Sequence, residues 1–483
     1  MNEWVDEEFE SADFGDARLS EGLKRLVERK WSRPEESLSG AGMAEAMAAS
    51  RFLGNAKVSA EKILAAHREG TLRRVHENGP GRVLMVQDTT ECDYTARKKL
   101  KGAGPLASPE RRGFFAHSHL VLTAERLPLG LWDALIYARD EAEHGKSANC
   151  KNRPIEQKES LRWLEGYRHA CELAGHAPAC EVVSVSDREG DIYEVFAERH
   201  QRLGQGRPAA GLLIRSKSDR CLEPIGDEAG GAQPGKLRVR LAAGTVDFEL
   251  SQAIRRNKKV KGSRQAPVER SARAVRQEIR SVRLRLKPPH RKTGAALPAV
   301  ELVAVEAREI NPPAGEEPLV WVLLTTLPVE TPEQAKEVIG LYLCRWEIEL
   351  FHKVLKSGCR IEQLQQRAET TLKPAIALCM TVGWRLLYVM RLGRARPDLP
   401  CELLFAPGEW KPLVAVSRRR GKPAPPTAPT LGEMVLMIAK LGGYLGRKND
   451  APPGIKAMWI GMTRLCDLSL AWERFGPASP SCV

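Results

Sequence analysis

Three acidic residues are placed where they could do chemistry. Asp88 follows the apolar run at 83–86, Asp187 follows the apolar run at 182–185, and Glu349 lies within LYLCRWEIELFHKVLKSG at 341–358. Phosphoryl transfer on nucleic acid commonly uses two divalent ions, roughly 3.5–4 Å apart, to activate the attacking oxygen and stabilise the leaving one. Hard cations such as Mg²⁺ take carboxylate oxygen and leave positions open for water and phosphate. Three carboxylates at the mouth of a sheet would meet that need. Each acid alone also has a plainer reading: Asp88 can cap a turn with the two threonines after it, and Asp187 can cap a helix starting near Gly190.

The segment around Glu349 adds basic and aromatic groups. On a single helix turning about 100° per residue, Tyr342, Arg345, Glu349, Lys353 and Lys356 share a stripe roughly 80° wide. Leu343, Cys344, Ile348, Phe351, Val354 and Leu355 mostly take the other face, as expected of a helix docked on a core. The plainer alternative is a solvated face with a Glu349–Lys353 pair worth a few tenths of a kcal/mol.

The elements that must position these groups belong to a chain longer than one ordinary core. At 483 residues, two or three domains are expected. The apolar share of 42% and charged share of 28% describe a globular protein, and 75 basic against 61 acidic residues leave +14. That balance points to a polyanionic partner, nucleic acid before membrane. Eleven cysteines contain no CxxC pair, so zinc is not indicated, and their odd number fits reduced thiols. The acidic first 20 residues lack the apolar core of a signal peptide, which implies a cytoplasmic protein. Residues 375–392 are strongly apolar, but Arg385 and Arg391 interrupt them and Pro374 precedes them, so a buried helix is expected.

Along the chain, residues 1–70 read as short helices. Strands are expected at 83–86, within 118–138 as a pair around Glu125 and Arg126, and at 182–185, with a helix at about 155–174. Between 210 and 327 the pattern becomes many short strands. SVRLRLK at 281–287 alternates apolar and basic residues, and residues 255–292 hold fifteen Lys/Arg against two Glu, which predicts a cationic sheet face or groove. TPEQ at 331–334 starts a helix with Pro332 in its first turn. The Pro- and Arg-rich stretch 417–430 reads as a linker, and helices resume after it. His117 and His119 share one face of a strand with no third ligand in sequence nearby, so they read as ordinary strand histidines.

These residues together carry a resemblance. The sequence is similar to bacterial DDE transposases of the "insertion sequence four" family, which includes the transposon-five transposase. The signature Y-x2-R-x3-E-x6-K is met by Tyr342, Arg345, Glu349 and Lys356. QDTTECDY resembles the first-aspartate motif, SDREGDI the second, and IRSK at 214–217 and WVLLTTLPVE at 321–330 also match. Weaker similarity extends to FGDARL and RFLGNAKVSAEKIL near the N-terminus and KLGGYLGRK near the C-terminus, so nearly the full chain is covered.

The resemblance implies an α/β fold: an RNase H-like catalytic core over 71–365 with a β-strand insertion at about 210–327. An N-terminal helical domain at 1–70 would bind the transposon end, and a C-terminal helical domain at 366–483 would pair two protomers. The first and fourth core strands would carry Asp88 and Asp187. The three acids would hold two Mg²⁺, with Mn²⁺ as a substitute and Asp88 bridging the ions. The implied activity is cut-and-paste transposition: nicking at the end, hairpin formation and opening, then strand transfer into target DNA by a homodimer. Tyr342, Arg345, Lys353 and Lys356 would contact the DNA backbone, Arg215 and Lys217 phosphates near the cleavage site, and Trp321 would receive a flipped base. Arg18 and Lys30, beside Trp31, fall in the end-recognition region. The alternatives are a structure-specific nuclease without strand transfer, and a non-catalytic end-binding inhibitor.

Overall fold

A computed structural model describes residues 3–38, 42–108, 110–141, 153–225, 235–254, 273–290, 296–417 and 427–476. Much of the basic block (255–272 and 291–292) and most of the proposed linker (418–426) lie outside the described residues. The chain divides into two compact units, Met1–Lys146 with Trp346–Val483, and Ser147–Arg345.

The first unit opens with helices α1 (Glu3–Glu8), α2 (Ala17–Ser32), α3 (Met43–Leu53) and α4 (Ala60–Glu77). Asp16 caps α2 by accepting from the Arg18 amide, and Ser59 caps α4 by accepting from Lys62. Strands β1 (Gly81–Asp93), β2 (Gly104–Pro105), β3 (Arg112–Thr123) and β4 (Pro128–Tyr137) follow, with β3 antiparallel to the other three. Arg126 turns the chain from β3 into β4 with φ at 70°. Apart from Arg112, β3 is buried throughout, as expected of a strand covered on both faces.

The second unit contains α5 (Leu161–His176), β5 (Cys180–Ser186), α6 (Tyr193–Gly204), β6 (Gly211–Arg215), β7 (Leu222–Glu223), α7 (Leu237–Ala243), β8 (Phe248–Ile254), β9 (Arg273–Leu286), β10 (Val300–Glu309), β11 (Val320–Thr325) and α8 (Pro332–Leu343). Its strands run in the order β5-β6-β11-β10-β9-β7, with β8 also on β9. β5 and β6 are parallel and joined through α6, whereas β11, β10, β9, β8 and β7 pair antiparallel. The expected start at Thr331 is a capping box with Gln334, and Pro332 is in the first turn.

The chain returns to the first unit with α9 (Trp346–Lys353), a π-helical turn (Val354–Gly358), α10 (Glu369–Ala395), α11 (Pro407–Ser417), α12 (Leu431–Leu441) and α13 (Ile455–Phe475). Helix α10 is the hub of this unit, packing against α2, α3, α4, α9, α12, α13 and β4. Among the described residues it is the one helix long and apolar enough to cross a membrane, and 89% of its apolar window is buried inside the protein. The Trp384 indole N–H donates to the Pro128 carbonyl at 2.8 Å, fixing α10 on β4.

Several expectations need correction. The segment 341–358 is not one helix. Cys344 and Arg345 donate to the carbonyls of Leu341 and Tyr342, three residues back, which closes α8 before α9 begins. After Lys353 the Cys359 amide reaches five residues back to Val354, so the helical phase slips again before Lys356 is aligned. The five residues are therefore not carried on one continuous helix. Strand β1 also continues past Asp88 to Asp93, placing Asp88 in mid-strand opposite Ser118 rather than at a strand end. The N-terminal helices, β1–β4 and the C-terminal helices share one compact unit.

Candidate active site

In the first unit, Asp88 on β1 and Glu349 on α9 are both half-buried, and the two elements pack together. The Asp88 carboxylate accepts from the Thr89 amide at 2.7 Å, and the Thr89 hydroxyl bonds His117 Nδ1 at 2.8 Å. His117 and His119 are buried side by side with ring centroids 5.0 Å apart.

The segment after α9 is clamped to the far end of β1. Glu362 accepts from the Asp93 amide at 2.9 Å, and the Tyr94 hydroxyl donates to Ile361 at 2.6 Å. From the other side, buried Glu347 accepts from Arg391 on α10, with one contact at 2.8 Å. Burial pushes the Glu347 carboxyl above the usual range, against the opposing pull of Arg391. Helix α9 is thus held from both sides while Lys353 is exposed and Lys356 half-buried.

In the second unit, Asp187 ends β5 and accepts from the Glu189 amide at 2.8 Å, capping a short 3₁₀ turn. This is the capping role that was the plainer sequence reading, and it leaves the carboxylate half-exposed.

Four more candidates gather in the same unit. Arg215 and Trp321 lie on adjacent strands, the guanidinium 5.7 Å from the indole centroid. Trp321 meets Tyr342 edge to face at 5.8 Å, and Arg345 lies 5.9 Å from the Tyr342 ring. Tyr342 and Arg345 are buried, whereas Trp321 and Arg215 are half-buried and Lys217 is exposed. Burial raises the Tyr342 pKa, Arg345 and Arg215 oppose the rise, and the charge of Asp187 adds to it. Burial and the neighbouring Arg188 and Arg345 lower that of Arg215. The group can offer guanidinium N–H donors, a protonated phenol and an indole edge to an anionic, aromatic ligand.

The basic sheet face proves to be a ladder of ion pairs. Leu284 and Leu286 are buried as expected and Arg283 and Arg285 point outward. Yet Arg283 pairs with Glu301 at 2.9 Å, Arg285 with Glu223 at 3.4 Å and Arg276 with Glu249 at 2.6 Å. The charges sit on neighbouring strands far apart in sequence, so counting along β9 could not reveal the match.

Lys30 is a second correction. It is 2% exposed, and its ammonium donates to the carbonyls of Glu36 and Cys359, so it is a packing residue rather than a surface phosphate contact. Arg18 is exposed beside Asp16, and Trp31 is buried. The sequence reading missed Asp191, whose side chain is fully buried in the second unit. The second aspartate of SDREGD was its signal.

Comparison with known families gives three matches in chain order. "Transposase DNA-binding" matches residues 1–58, "Transposase DDE domain" residues 227–382, and "Transposase Tn5 dimerisation domain" residues 381–472. The chain therefore carries DNA-binding and dimerisation domains around an enzymatic one, and the DDE match brings with it an RNase H-like core and use of divalent metal ions. On these three matches, the chain belongs to the Tn5-like DDE transposases.

Proposed function

We propose that the protein moves its own element by cut-and-paste transposition, acting as a homodimer on the two transposon ends and then on target DNA. The observation that carries this reading is the grouping of Arg215, Trp321, Tyr342 and Arg345 in the unit that holds Asp187. A nuclease that only cuts needs phosphate contacts. An enzyme that bends a strand end back on itself also needs an aromatic surface for a displaced base.

Asp88, Asp187 and Glu349 would hold two Mg²⁺, with Mn²⁺ able to substitute. Their fit rests on donor chemistry: three carboxylates, each half-exposed, offer hard oxygen without a competing thiol or imidazole among them. When bound, the ions would lower the pKa of the attacking hydroxyl and stabilise the leaving oxygen.

The protein's own groups supply positioning. Arg215 and Arg345 hold phosphate oxygens through N–H donors, and Lys217, Lys353 and Lys356 act as point charges along the backbone. Tyr342, a neutral phenol, would donate its O–H to a phosphate oxygen. Trp321 stacks a displaced base, offsetting about 1–3 kcal/mol of its unstacking. The steps form an in-line series. Water attacks phosphorus at the end, and the P–O3′ bond breaks to release a 3′-hydroxyl. That hydroxyl displaces the opposite strand to form a hairpin, water reopens it, and the freed 3′-hydroxyl attacks target DNA.

The test is incubation of the protein with Mg²⁺, linear DNA carrying the ends of its own element and a supercoiled target, followed by denaturing gels. Hairpins and joined products that disappear in Asp88→Ala are expected. Cleavage without hairpin or joining would overturn the reading in favour of a nuclease.

A further inference from the structure

A carboxylate that no proposed reaction step uses lies four residues beyond Asp187. The Asp191 side chain is completely buried, and both its oxygens are engaged. Oδ2 accepts from the Lys217 amide at 2.7 Å, from the Ser218 amide at 3.3 Å and from the Ser216 hydroxyl at 3.4 Å. Oδ1 accepts from Arg220 Nε at 2.9 Å, and the Asp191 carbonyl accepts from the same guanidinium at 2.9 Å. Arg220 is itself wedged over the rings of Tyr193 and Phe196, at 5.8 and 5.3 Å.

The two ends of this arrangement are already fixed. On one side, a Cβ on Gly190 would come within 2.3 Å of Ser186 Oγ and 3.0 Å of Trp163, so the turn after Asp187 is pressed onto β5 and α5. On the other side, the Ser216 amide donates to Val322 at 2.7 Å, continuing the pairing of β6 with β11 next to Trp321. Between them, among the described residues, 217–220 pair with no strand, and the Arg220 carbonyl accepts from the Leu237 amide at 2.9 Å. Consecutive amides turned toward one anion form a backbone nest, and here a protein carboxylate fills it. Buried charge is tolerated only when fully paired, which Arg220 and the amides provide.

The geometry points to Asp191 as a positioning residue: it fixes the 216–220 loop to the turn that carries Asp187, so that the exposed Lys217 meets a DNA phosphate at a set place relative to that acid. This inference rests on the proposed role of Lys217 as a phosphate contact. It adds how that contact is held and which residue holds it.

The salt dependence of DNA binding separates the possibilities. Duplex DNA carrying the element's ends would be titrated with the wild type, Lys217→Ala, Asp191→Asn and the double variant across a range of NaCl, with Ca²⁺ in place of Mg²⁺. Each phosphate contact contributes about 0.9 to the slope of log K against log salt. Asp191→Asn removes a negative charge, which by itself would strengthen binding to DNA. Positioning predicts the opposite: a slope reduced by about one contact, as in Lys217→Ala, with the double variant no lower than Lys217→Ala alone.

If Asp191→Asn leaves the slope unchanged, or if the two losses add, Asp191 does not act through Lys217 and the inference fails. If Lys217→Ala itself leaves the slope unchanged, the phosphate role of Lys217 fails and takes the inference with it. Arg220→Gln gives a second route should Asp191→Asn fold poorly. It loosens the same carboxylate without touching Asp191 or Lys217, and the same non-additivity with Lys217→Ala is expected.

Discussion

The Lys30 ammonium on α2 donates to the carbonyl oxygen of Cys359 at 3.0 Å, across 329 residues of sequence. Cys359 closes the π turn that follows α9, so this bond ties the N-terminal helices to the segment carrying Glu349. A buried, satisfied ammonium is costly to remove because two carbonyls lose their donor. Lys30→Met is expected to destabilise the protein by roughly 2–4 kcal/mol, read by denaturant unfolding, with no change in the salt dependence of end binding. Arg18→Ala should behave in the opposite way, lowering the salt slope while the unfolding midpoint stays put.

The contrast between these residues shows what the sequence could convey. The apolar strands at Asp88 and before Asp187, the family signature around Glu349 and the strand-rich interval were legible because each is a local pattern. The fate of Lys30 was not, since it depends on a carbonyl more than three hundred residues away. Likewise β9 reads as cationic until Glu223, Glu249 and Glu301 arrive from other strands. The break between Tyr342 and Glu349 was hidden for another reason: LYLCRWEIELFHK has no glycine or proline, and helical propensity alone continues the helix through it. Tertiary packing, which buries Tyr342 and Arg345, outweighs that propensity.

The buried pair Glu347–Arg391, on the helix that carries Glu349, predicts a pH-dependent loss of stability. Arg391→Ala leaves an unpartnered carboxylate 1% exposed, a change that costs about 3–5 kcal/mol in comparable buried pairs. Burial already raises the Glu347 pKa against the pull of Arg391, so without Arg391 the carboxyl is expected to take up a proton more readily and recover part of the loss. The folded chain then binds more protons than the unfolded one, so stability of Arg391→Ala should rise as pH is lowered, relative to wild type. Equal pH profiles for the two proteins would count against this account.

Trp321 offers a step-specific prediction. It is half-buried, with Arg215 on one side and the Tyr342 edge on another, so removing the ring should leave the surrounding strand intact. Trp321→Ala is expected to slow hairpin formation by about 5- to 150-fold, the equivalent of 1–3 kcal/mol of lost stacking. First-strand nicking should change by less than about threefold, because it needs no displaced base. Time courses on denaturing gels resolve the two products, and equal slowing of both would show that Trp321 serves the strand rather than the base.

One buried network in the first unit contributes to the acid limb of stability. Glu8 accepts from His67 Nδ1 at 2.5 Å and from both terminal nitrogens of Arg74, at 2.6 and 3.0 Å. His67 Nε2 accepts from the Leu131 amide at 2.9 Å, so the ring is neutral with its proton on Nδ1. Protonating Nε2 would set two donors against each other, and burial likewise lowers the His67 pKa. Burial alone would raise the Glu8 pKa, but Arg74 and His67 outweigh it and hold the carboxyl down at about 2. Both groups have folded pKa values below their unfolded ones, so the unfolded chain binds more protons and stability falls as pH falls. The His67 contribution is present above about 6.5 and declines below it. The Glu8 contribution is present above about 4.5 and is lost as pH drops toward 2. Melting temperatures from pH 8 to 4 should show the first decline in the wild type, and His67→Gln should flatten it between pH 6.5 and 5. A profile in His67→Gln that still falls as steeply over that interval would assign the decline to another group.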